Sequence, residues 1–170
     1  QSMEQVANTD TLTGVRNRHY LLENGERQLK QAAGRDFWAM IIDLDHFKRI
    51  NDGLGHLTGD HVLAAMGSLL NQQFPDAMTV RFGGEEFAIL LSCTQRAEAM
   101  RRAEALRAAV EALQPEGVNV TISIGIAGVE DHPEANVNAL LGIADKALYA
   151  AKDHGRNQVC LTQNDSSIGS

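Results

Sequence analysis

The chain has little cysteine, no long apolar run and a shortage of basic residues. Cys93 and Cys160 are its two cysteines, and neither belongs to a ligand-spacing motif. This excludes a disulfide scaffold and a cysteine-based zinc site, and it is typical of a cytosolic protein with free thiols. No apolar run approaches the length that spans a bilayer, and the first residues have no signal-peptide pattern. The sequence therefore predicts a cytoplasmic chain without direct membrane contact.

The charge balance restricts the possible partners. The 15 Lys and Arg residues stand against 22 Asp and Glu residues, and the formal net charge is −7. Binding along the backbone of DNA or RNA needs a basic surface, so a nucleic-acid partner is not expected. A nucleotide ligand is not excluded, because a few well-placed Lys or Arg side chains and metal ions can neutralise its phosphates.

Length and composition indicate one compact domain. The chain has 170 residues, of which 44% are apolar. Apolar periodicity and turn residues predict the order helix, strand, two helices, hairpin, helix, strand, helix, strand. This order indicates an α/β (α+β) fold of the polymerase-palm type, in which helices cover a central, mainly antiparallel five-stranded sheet.

We expect this domain to span residues 10–161. Residues 1–9 are interpreted as the end of an incoming helix, preceded by a cloning remnant. Residues 162–170 are small and polar, and we expect them to form a disordered tail.

The most informative stretch is a glycine turn between two alternating apolar runs. Gly83 and Gly84 are followed directly by Glu85 and Glu86. Paired glycines supply the positive φ angles of tight hairpin turns, so the stretch predicts a β-hairpin. A hairpin does not need two adjacent carboxylates, which repel each other, whereas a metal ion would explain them. On the hairpin alone, an exposed acidic turn is an equal alternative.

A second acidic pair follows the most apolar stretch of the chain. Residues 37–42 predict a central strand that is buried on both faces, and the acids Asp43 and Asp45 follow them. A carboxylate at a buried strand end is unfavourable unless it is paired or bound to a metal. Asp43 is therefore a candidate ligand, whereas Asp45 can instead cap the short helix that follows.

In a palm-type sheet, Asp43 would converge with Glu85 and Glu86 on one point. The backbone carbonyl of Leu44 is available as another oxygen ligand. An acidic site made only of oxygens suits Mg²⁺ or Mn²⁺, with substrate phosphates completing the octahedron. Two such ions can activate a 3′-hydroxyl and hold a triphosphate during an in-line displacement.

Two helix ends are candidates for phosphate binding. Lys48, together with the N–H groups of Phe47 and Lys48, begins a helix just after the acids and can hold phosphates there. Lys152 and Arg156 lie four residues apart at the exit of a later helix. Their side chains can reach the same triphosphate.

A further pair is suited to reading guanine. A guanine base presents N1–H and N2–H₂ as donors, whereas adenine offers a different edge. A carboxylate that faces these donors, with an amide nearby, recognises guanine. Asn51 and Asp60 flank a loop with two glycines and can form such a pair.

Taken together, these motifs resemble those of the GGDEF family of diguanylate cyclases. The family signature stands here as Arg-Phe-Gly-Gly-Glu-Glu-Phe at residues 81–87, with Glu at the third position of the GGDEF core. Further motifs follow the family order, at residues 10–18, 43–52, 56–60, 144–149 and 152–157. So many motifs in register identify the chain as a member in its GGEEF variant, with a nucleotidyl-cyclase-like fold.

The resemblance implies a reaction and a setting. Two GTP molecules would condense into cyclic di-GMP with release of pyrophosphate. Each domain would bind one GTP and two Mg²⁺ (or Mn²⁺) ions, so catalysis would need a homodimer. We expect the isolated domain to be a monomer or a weak dimer. It would be the output domain of a bacterial signalling protein, either cytoplasmic or the cytoplasmic part of a membrane-anchored or multidomain sensor.

The resemblance also implies roles for individual residues. The metal ligands would be Asp43, the Leu44 carbonyl and Glu85. Glu85 would also accept the 3′-hydroxyl proton, with support from Glu86, and Asp45 would stabilise the loop. The guanosine contacts would be Asn51, His56 and Asp60. The phosphate contacts would be Phe47, Lys48, Lys152 and Arg156, and the absent side chains of Gly83 and Gly84 would leave room for the ribose and α-phosphate.

One departure from the family concerns product inhibition. Many members carry an Arg and an Asp for this purpose where this chain has Phe74 and Ala77. Neither side chain can bind a guanine or a phosphate, so the product-inhibition site is expected to be absent. The alternatives to an active cyclase are a catalytically silent GTP-binding regulatory module, a cyclic di-GMP effector, and a nucleotidyl cyclase or polymerase with another substrate.

Overall fold

The computed structural model describes residues 7–32 and 36–162. The strands are β1 (Arg16–Asn17), β2 (Trp38–Leu44), β3 (Met78–Arg81), β4 (Glu86–Leu91), β5 (Ile122–Gly128) and β6 (Val159–Leu161). The α-helices are α1 (Arg18–Gln31), α2 (Phe47–Leu54), α3 (His56–Gln73), α4 (Arg96–Leu113) and α5 (Val137–Asp153), and Pro115–Gly117 forms a 3₁₀ turn. None of the described helices is long and apolar enough to cross a membrane.

The six strands of the described residues form one sheet in the order β1-β3-β4-β2-β5-β6. The three inner pairings are antiparallel, and the outer pairings of β1 with β3 and of β5 with β6 are parallel. A mixed α/β fold with a mainly antiparallel sheet is therefore confirmed, but the expected number of five strands is wrong. The additional strand is β1, whose two polar residues have no apolar alternation and are extended because they pair with Val80 and Arg81.

The strand β2 is buried along its whole length because its side chains enter two cores. Trp38, Met40 and Ile42 pack on the side that α3 and α4 cover. Ala39 and Ile41 pack on the opposite side, against α1 and α5. Successive side chains of a strand point to opposite faces, so a continuous apolar run is what a strand between two helical layers needs.

The helix boundaries show one side-chain cap and correct one predicted loop. Asn17 caps α1, and its Oδ1 accepts a hydrogen bond from Tyr20 N at 2.9 Å. The predicted loop with two glycines between α2 and α3 is wrong, because α2 continues to Leu54 and Gly55 alone connects the helices. Gly55 has a φ of +91°, which favours glycine. The predicted incoming helix and disordered tail fall largely on residues 1–6 and 163–170, outside the described residues.

Gly125 in β5 allows α5 to lie directly on the sheet. A Cβ atom at this position would be 2.0 Å from the carbonyl oxygen of Ala144 and 2.2 Å from the backbone nitrogen of Leu148. Both atoms belong to α5, so the helix backbone occupies the space that a side chain would need. The last turn of α5 carries Lys152, and the close approach keeps that turn near the sheet.

We expect Gly125→Ala to lower the free energy of unfolding by about 3 kcal/mol, because the backbone of a helix would have to move. Gly142→Ala within α5 is the matched control, since a Cβ atom there would meet nothing within 4 Å. That substitution should raise the free energy of unfolding by about 0.5–1 kcal/mol. Thermal unfolding measures both changes, and equal midpoints would contradict the close approach.

Candidate active site

Four of the predicted site residues meet at one end of the sheet. Because β2 runs antiparallel to β4 and β5, its last residues lie beside the first residues of both neighbours. Asp43 is in register with Glu86 of β4 and with Ser123 of β5. The Leu44 N–H donates a hydrogen bond to the carbonyl oxygen of Glu85 at 3.3 Å. The pairing of the strands therefore brings Asp43, Leu44, Glu85 and Glu86 together.

Asp43 is a buried acid with one cationic neighbour. Burial raises the pKa of its carboxyl above the usual range, and the charges of Glu85 and Asp45 add to the rise. The Lys152 ammonium contacts Asp43 Oδ2 and lowers the pKa, but it does not offset the effect of burial. The carboxylate form of Asp43 is thus less favoured than it would be on an exposed side chain.

Glu86 is repelled by the acids around it. Burial raises the pKa of its carboxyl, and the charges of Asp43, Asp145 and Glu85 raise it further against the opposing effect of Lys152. Asp145 was given no role from the sequence. Its sequence signals are its place in the motif at residues 144–149 and its position on α5 seven residues before Lys152, which places the two side chains on one face of the helix.

A hard cation fits this arrangement of oxygens. The repulsion between the carboxylates would be relieved by a cation, and the ammonium of Lys152 already lies against Asp43. Across the described residues, no three His, Cys, Asp or Glu side chains form a ready metal cluster. A ligand set based on Asp43 and Glu85 therefore needs a further oxygen, such as the Leu44 carbonyl. Carboxylate and carbonyl oxygens suit Mg²⁺ and Mn²⁺, so this predicted set fits either ion.

The glycine turn is held by its neighbours and not by left-handed glycines. The N–H groups of Phe82 and Gly83 both donate to the carbonyl oxygen of Glu86, at 2.8 and 3.2 Å. The Arg81 guanidinium donates to the carbonyl oxygen of Gly84 from Nε at 3.2 Å and from Nη2 at 2.8 Å. Neither Gly83 nor Gly84 has a positive φ, so the predicted positive φ angles at these glycines are wrong.

Open space is the feature that the two glycines provide. A Cβ atom at Gly84 would meet nothing within 4 Å, and one at Gly83 would meet only the Cβ of Glu86, at 3.9 Å. The fold itself would therefore accept side chains at both positions. Arg81, which fixes this turn, was also given no separate role from the sequence. Its signal is a charged residue two positions before the glycine pair.

The three predicted guanosine contacts share the corner between α2 and α3. A Cβ atom at Gly59 would be 1.9 Å from Asn51 Oδ1, so the absence of a side chain leaves room for the Asn51 amide between the helices. His56 and Asp60 lie one turn apart on α3, and both are exposed. The structure thus places an amide, an imidazole and a carboxylate at one corner.

The predicted phosphate contacts come from two helix ends. Phe47 and Lys48 begin α2, where the first N–H groups lack an acceptor within the helix. Lys152 is joined to the acids directly through Asp43. Arg156 lies in the turn that follows α5 and has a left-handed backbone with a φ of 65°.

Asp45 does not cap α2, as one alternative from the sequence had it. His46 occupies the N-cap position of that helix. The Asp45 carboxylate accepts hydrogen bonds from Thr121, Ser123 and the N–H of Asn157. It therefore ties the end of β2 to the start of β5 and to the turn after α5.

One of the two positions expected for product inhibition forms a cation–π contact. Phe74 is buried, and the Arg102 guanidinium lies over its ring at 4.5 Å from the centroid. Arg102 Nη1 also pairs with Asp76 Oδ2 at 2.8 Å. Ala77 is half-buried and offers no polar side chain.

The repulsion at Glu86 predicts a pH-dependent stability. A carboxyl with a raised pKa binds its proton more tightly in the folded chain, so the free energy of unfolding falls as the pH rises from about 4 through the folded pKa. Without divalent metal, Glu86→Gln should therefore melt about 1–3 °C above the unsubstituted domain near pH 7.5, with no difference near pH 4. Glu98→Gln, which removes an exposed acid paired with Arg101, is the control and should not raise the midpoint. A lower midpoint for Glu86→Gln at neutral pH would contradict the repulsion.

Comparison with known proteins identifies the family of this chain. The family model described as "Diguanylate cyclase, GGDEF domain" matches residues 7–158. The chain is 40% identical over 167 residues to "Probable diguanylate cyclase DgcT" of Escherichia coli, and 42% identical over 168 residues to "Response regulator PleD" of Caulobacter vibrioides. These alignments cover 93% and 91% of this chain and 36% of each relative. The chain thus spans about a third of the length of these curated relatives.

Solved structures share the fold. The coiled coil and GGDEF domain of DgcB from Caulobacter crescentus, in complex with c-di-GMP, matches with a TM-score of 0.84 at 30% identity, covering 94% of this chain and 87% of that one. The active GGEEF domain of a diguanylate cyclase from Vibrio cholerae matches with a TM-score of 0.80 at 31% identity, covering 87% of this chain and 97% of that one. Because the family match runs through every element from β1 to α5 and includes the acidic hairpin, the chain belongs to the GGDEF domain family.

Proposed function

We propose that this domain is a diguanylate cyclase, which condenses two GTP into cyclic di-GMP and releases pyrophosphate. The observation that carries the proposal is the register of Asp43 with Glu86 beside an open glycine turn. The carboxylates and the turn leave a site that is acidic and accessible to a phosphate. Membership of the family and the relatives named as diguanylate cyclases support the same reaction.

The acids would hold Mg²⁺ or Mn²⁺, two ions per GTP site. Asp43, the Leu44 carbonyl and Glu85 are the proposed ligands. Bound ions would supply neutralisation of phosphate charge and activation of the 3′-hydroxyl. The like-charge repulsion that helps to raise the pKa values of Asp43 and Glu86 supports a cation at this site, because a bound cation would offset that repulsion.

The chain's own groups would orient the reacting atoms. Glu85 would accept the proton of the 3′-hydroxyl, and the 3′-oxygen would form a bond to the α-phosphorus of the other GTP. The bond from that phosphorus to the bridging oxygen breaks, and pyrophosphate leaves. Lys152 and Arg156, with Lys48 and the first N–H groups of α2, would stabilise the charge on the phosphates.

The corner of α2 and α3 would select guanine. Asp60 would face N1–H and N2–H₂ of the base, and Asn51 and His56 would complete the contacts to guanosine. Each domain would hold one GTP, so the two half-reactions require a homodimer with facing sites. We propose that the domain acts in the cytoplasm as the output domain of a longer signalling protein.

The test of this activity is incubation with GTP and Mg²⁺, with nucleotide products separated by chromatography. We expect cyclic di-GMP, formed at a rate that rises faster than linearly with enzyme concentration because two domains must meet. Glu85→Gln and Asp43→Asn keep the side-chain shape and remove a charge, so each should lower the rate by about 100-fold or more. Glu98→Gln is the control on the exposed face of α4 and should retain the rate.

Two outcomes would contradict the activity. Binding of GTP without any turnover at high domain concentration would indicate a silent GTP-binding regulatory module. A cyclic product from ATP at a rate equal to that from GTP would show that the corner of Asn51, His56 and Asp60 does not read guanine.

We further propose that the domain lacks the product-inhibition site of many relatives. Phe74 is buried under Arg102, whose guanidinium is already engaged by Asp76, and Ala77 has no polar atom on its side chain. Added cyclic di-GMP should therefore leave the initial rate nearly unchanged in the same assay. Strong non-competitive inhibition would show that product binds at this position despite the substitutions.

A further inference from the structure

We propose that Asp45 is a positioning residue that orients Arg156 for the phosphates of the nucleotide. It would do so by fixing the turn that follows α5, here called the exit turn (residues 154–158). The inference rests on the proposed GTP site, because it assigns Arg156 to the phosphates of that substrate. Asp45 itself would touch neither substrate nor metal.

The Asp45 carboxylate is enclosed by three donors from two segments of the chain. It is 5% exposed. Its Oδ1 accepts from Ser123 Oγ at 2.7 Å, and its Oδ2 accepts from Thr121 Oγ1 at 2.7 Å and from Asn157 N at 3.0 Å. Both oxygens are therefore occupied by neutral donors, which argues for a structural tie and against a metal ligand.

The exit turn needs such a tie because its backbone is unfavourable. Arg156 and Asn157 have φ values of 65° and 47°, and two consecutive left-handed residues other than glycine persist only where the surroundings hold them. The Arg156 N–H is held by the carbonyl oxygen of Ala151 at 2.9 Å. The Asn157 N–H is held by Asp45, so the carboxylate fixes the peptide group that directly follows Arg156.

Asp43 and Asp45 thus join β2 to α5 and its exit turn at two neighbouring points. Asp43 contacts Lys152 in the last turn of α5, and Asp45 contacts the backbone of Asn157. Residues two apart along a strand direction point to the same side. The end of β2 can therefore position both the acids of the site and the Arg156 guanidinium, which follows Lys152 by four residues.

A second tie explains why loss of Asp45 should reorient the exit turn without unfolding the domain. The Asn157 side chain accepts from Arg107 Nη1 at 2.8 Å and donates to Glu111 Oε2 at 2.6 Å. Both partners belong to α4. With Asp45 removed, the turn stays attached to α4 and loses the contact that fixes its backbone.

The experiment is a double-mutant cycle read by binding of a non-hydrolysable GTP analogue in Mg²⁺. Asp45→Ala should weaken binding about tenfold, and Arg156→Ala should also weaken it. In the Arg156→Ala background, Asp45→Ala should weaken binding by no more than about twofold. Full additivity of the two substitutions would overturn the proposal, because Asp45 would then not act through Arg156.

Asp45→Asn separates a positional role from a role of the charge. The amide oxygen can still accept from the Asn157 N–H while the amide nitrogen faces the Ser123 hydroxyl, which can accept. Binding by Asp45→Asn should therefore stay within about threefold of the unsubstituted domain. If Asp45→Asn is as damaging as Asp45→Ala, the charge matters and Asp45 is a metal or substrate ligand instead.

Amide exchange and a control variant test whether Asp45 acts through the exit turn. Amide exchange at the Asn157 N–H, without ligand, should be faster in Asp45→Ala than in Asp45→Asn. Asp76→Ala, which breaks a carboxylate contact to Arg102 far from the site, should leave analogue binding unchanged. If Asp45→Ala does not fold, Asp45→Ser takes its place, since its hydroxyl is too short to replace the carboxylate.

The outcomes for the two proposals can be distinguished. If the unsubstituted domain binds the analogue and makes no cyclic di-GMP from GTP, the proposed activity fails and the binding cycle still decides the role of Asp45. If the domain does not bind the analogue at all, both proposals are overturned.

Discussion

Crowding of carboxylates at the end of a buried strand is the constraint on which the rest of this domain depends. Asp43 lies in register with Glu86, and burial together with like charge raises the pKa of both acids. Burying carboxylates so close together lowers the stability of a fold, so their presence here indicates a use other than folding. Natural folds accept local destabilisation where a site needs it, and a bound cation would favour the ionised forms of these acids.

The packing of α5 allows the acids at the end of β2 to lie close together. Gly125 lets the helix backbone contact β5, and the last turn of the helix then delivers the ammonium of Lys152 to Asp43. A side chain at position 125 would displace the helix from the sheet and with it the cation. The interior packing and the charge balance at the site therefore depend on the same quantity, which is the distance between α5 and β5.

Local patterns in the sequence were enough to predict the main elements and the convergence of Asp43 with the hairpin acids. They failed where pairing overrides local preference, as in β1, which is too short and polar to have a pattern. The positive φ angles expected at the glycine pair are absent, and the turn is instead held by hydrogen bonds from Arg81 and to the Glu86 carbonyl oxygen. The ties of Asp45 to Ser123 and Asn157 join residues far apart in the chain, and no spacing rule reports them.

The edges of the sheet bear on how copies of the domain meet. Within the described residues, the outermost strands are β1 with two residues and β6 with three. Strands this short offer few free backbone groups, so they are poor templates for joining two sheets side by side. The proposed reaction, in which two domains meet face to face, would gain from this, because edge pairing would hold copies in an unproductive arrangement. The rate at which two copies meet would then depend on how strongly the domains are concentrated in one place. The rate of product formation would follow that local concentration.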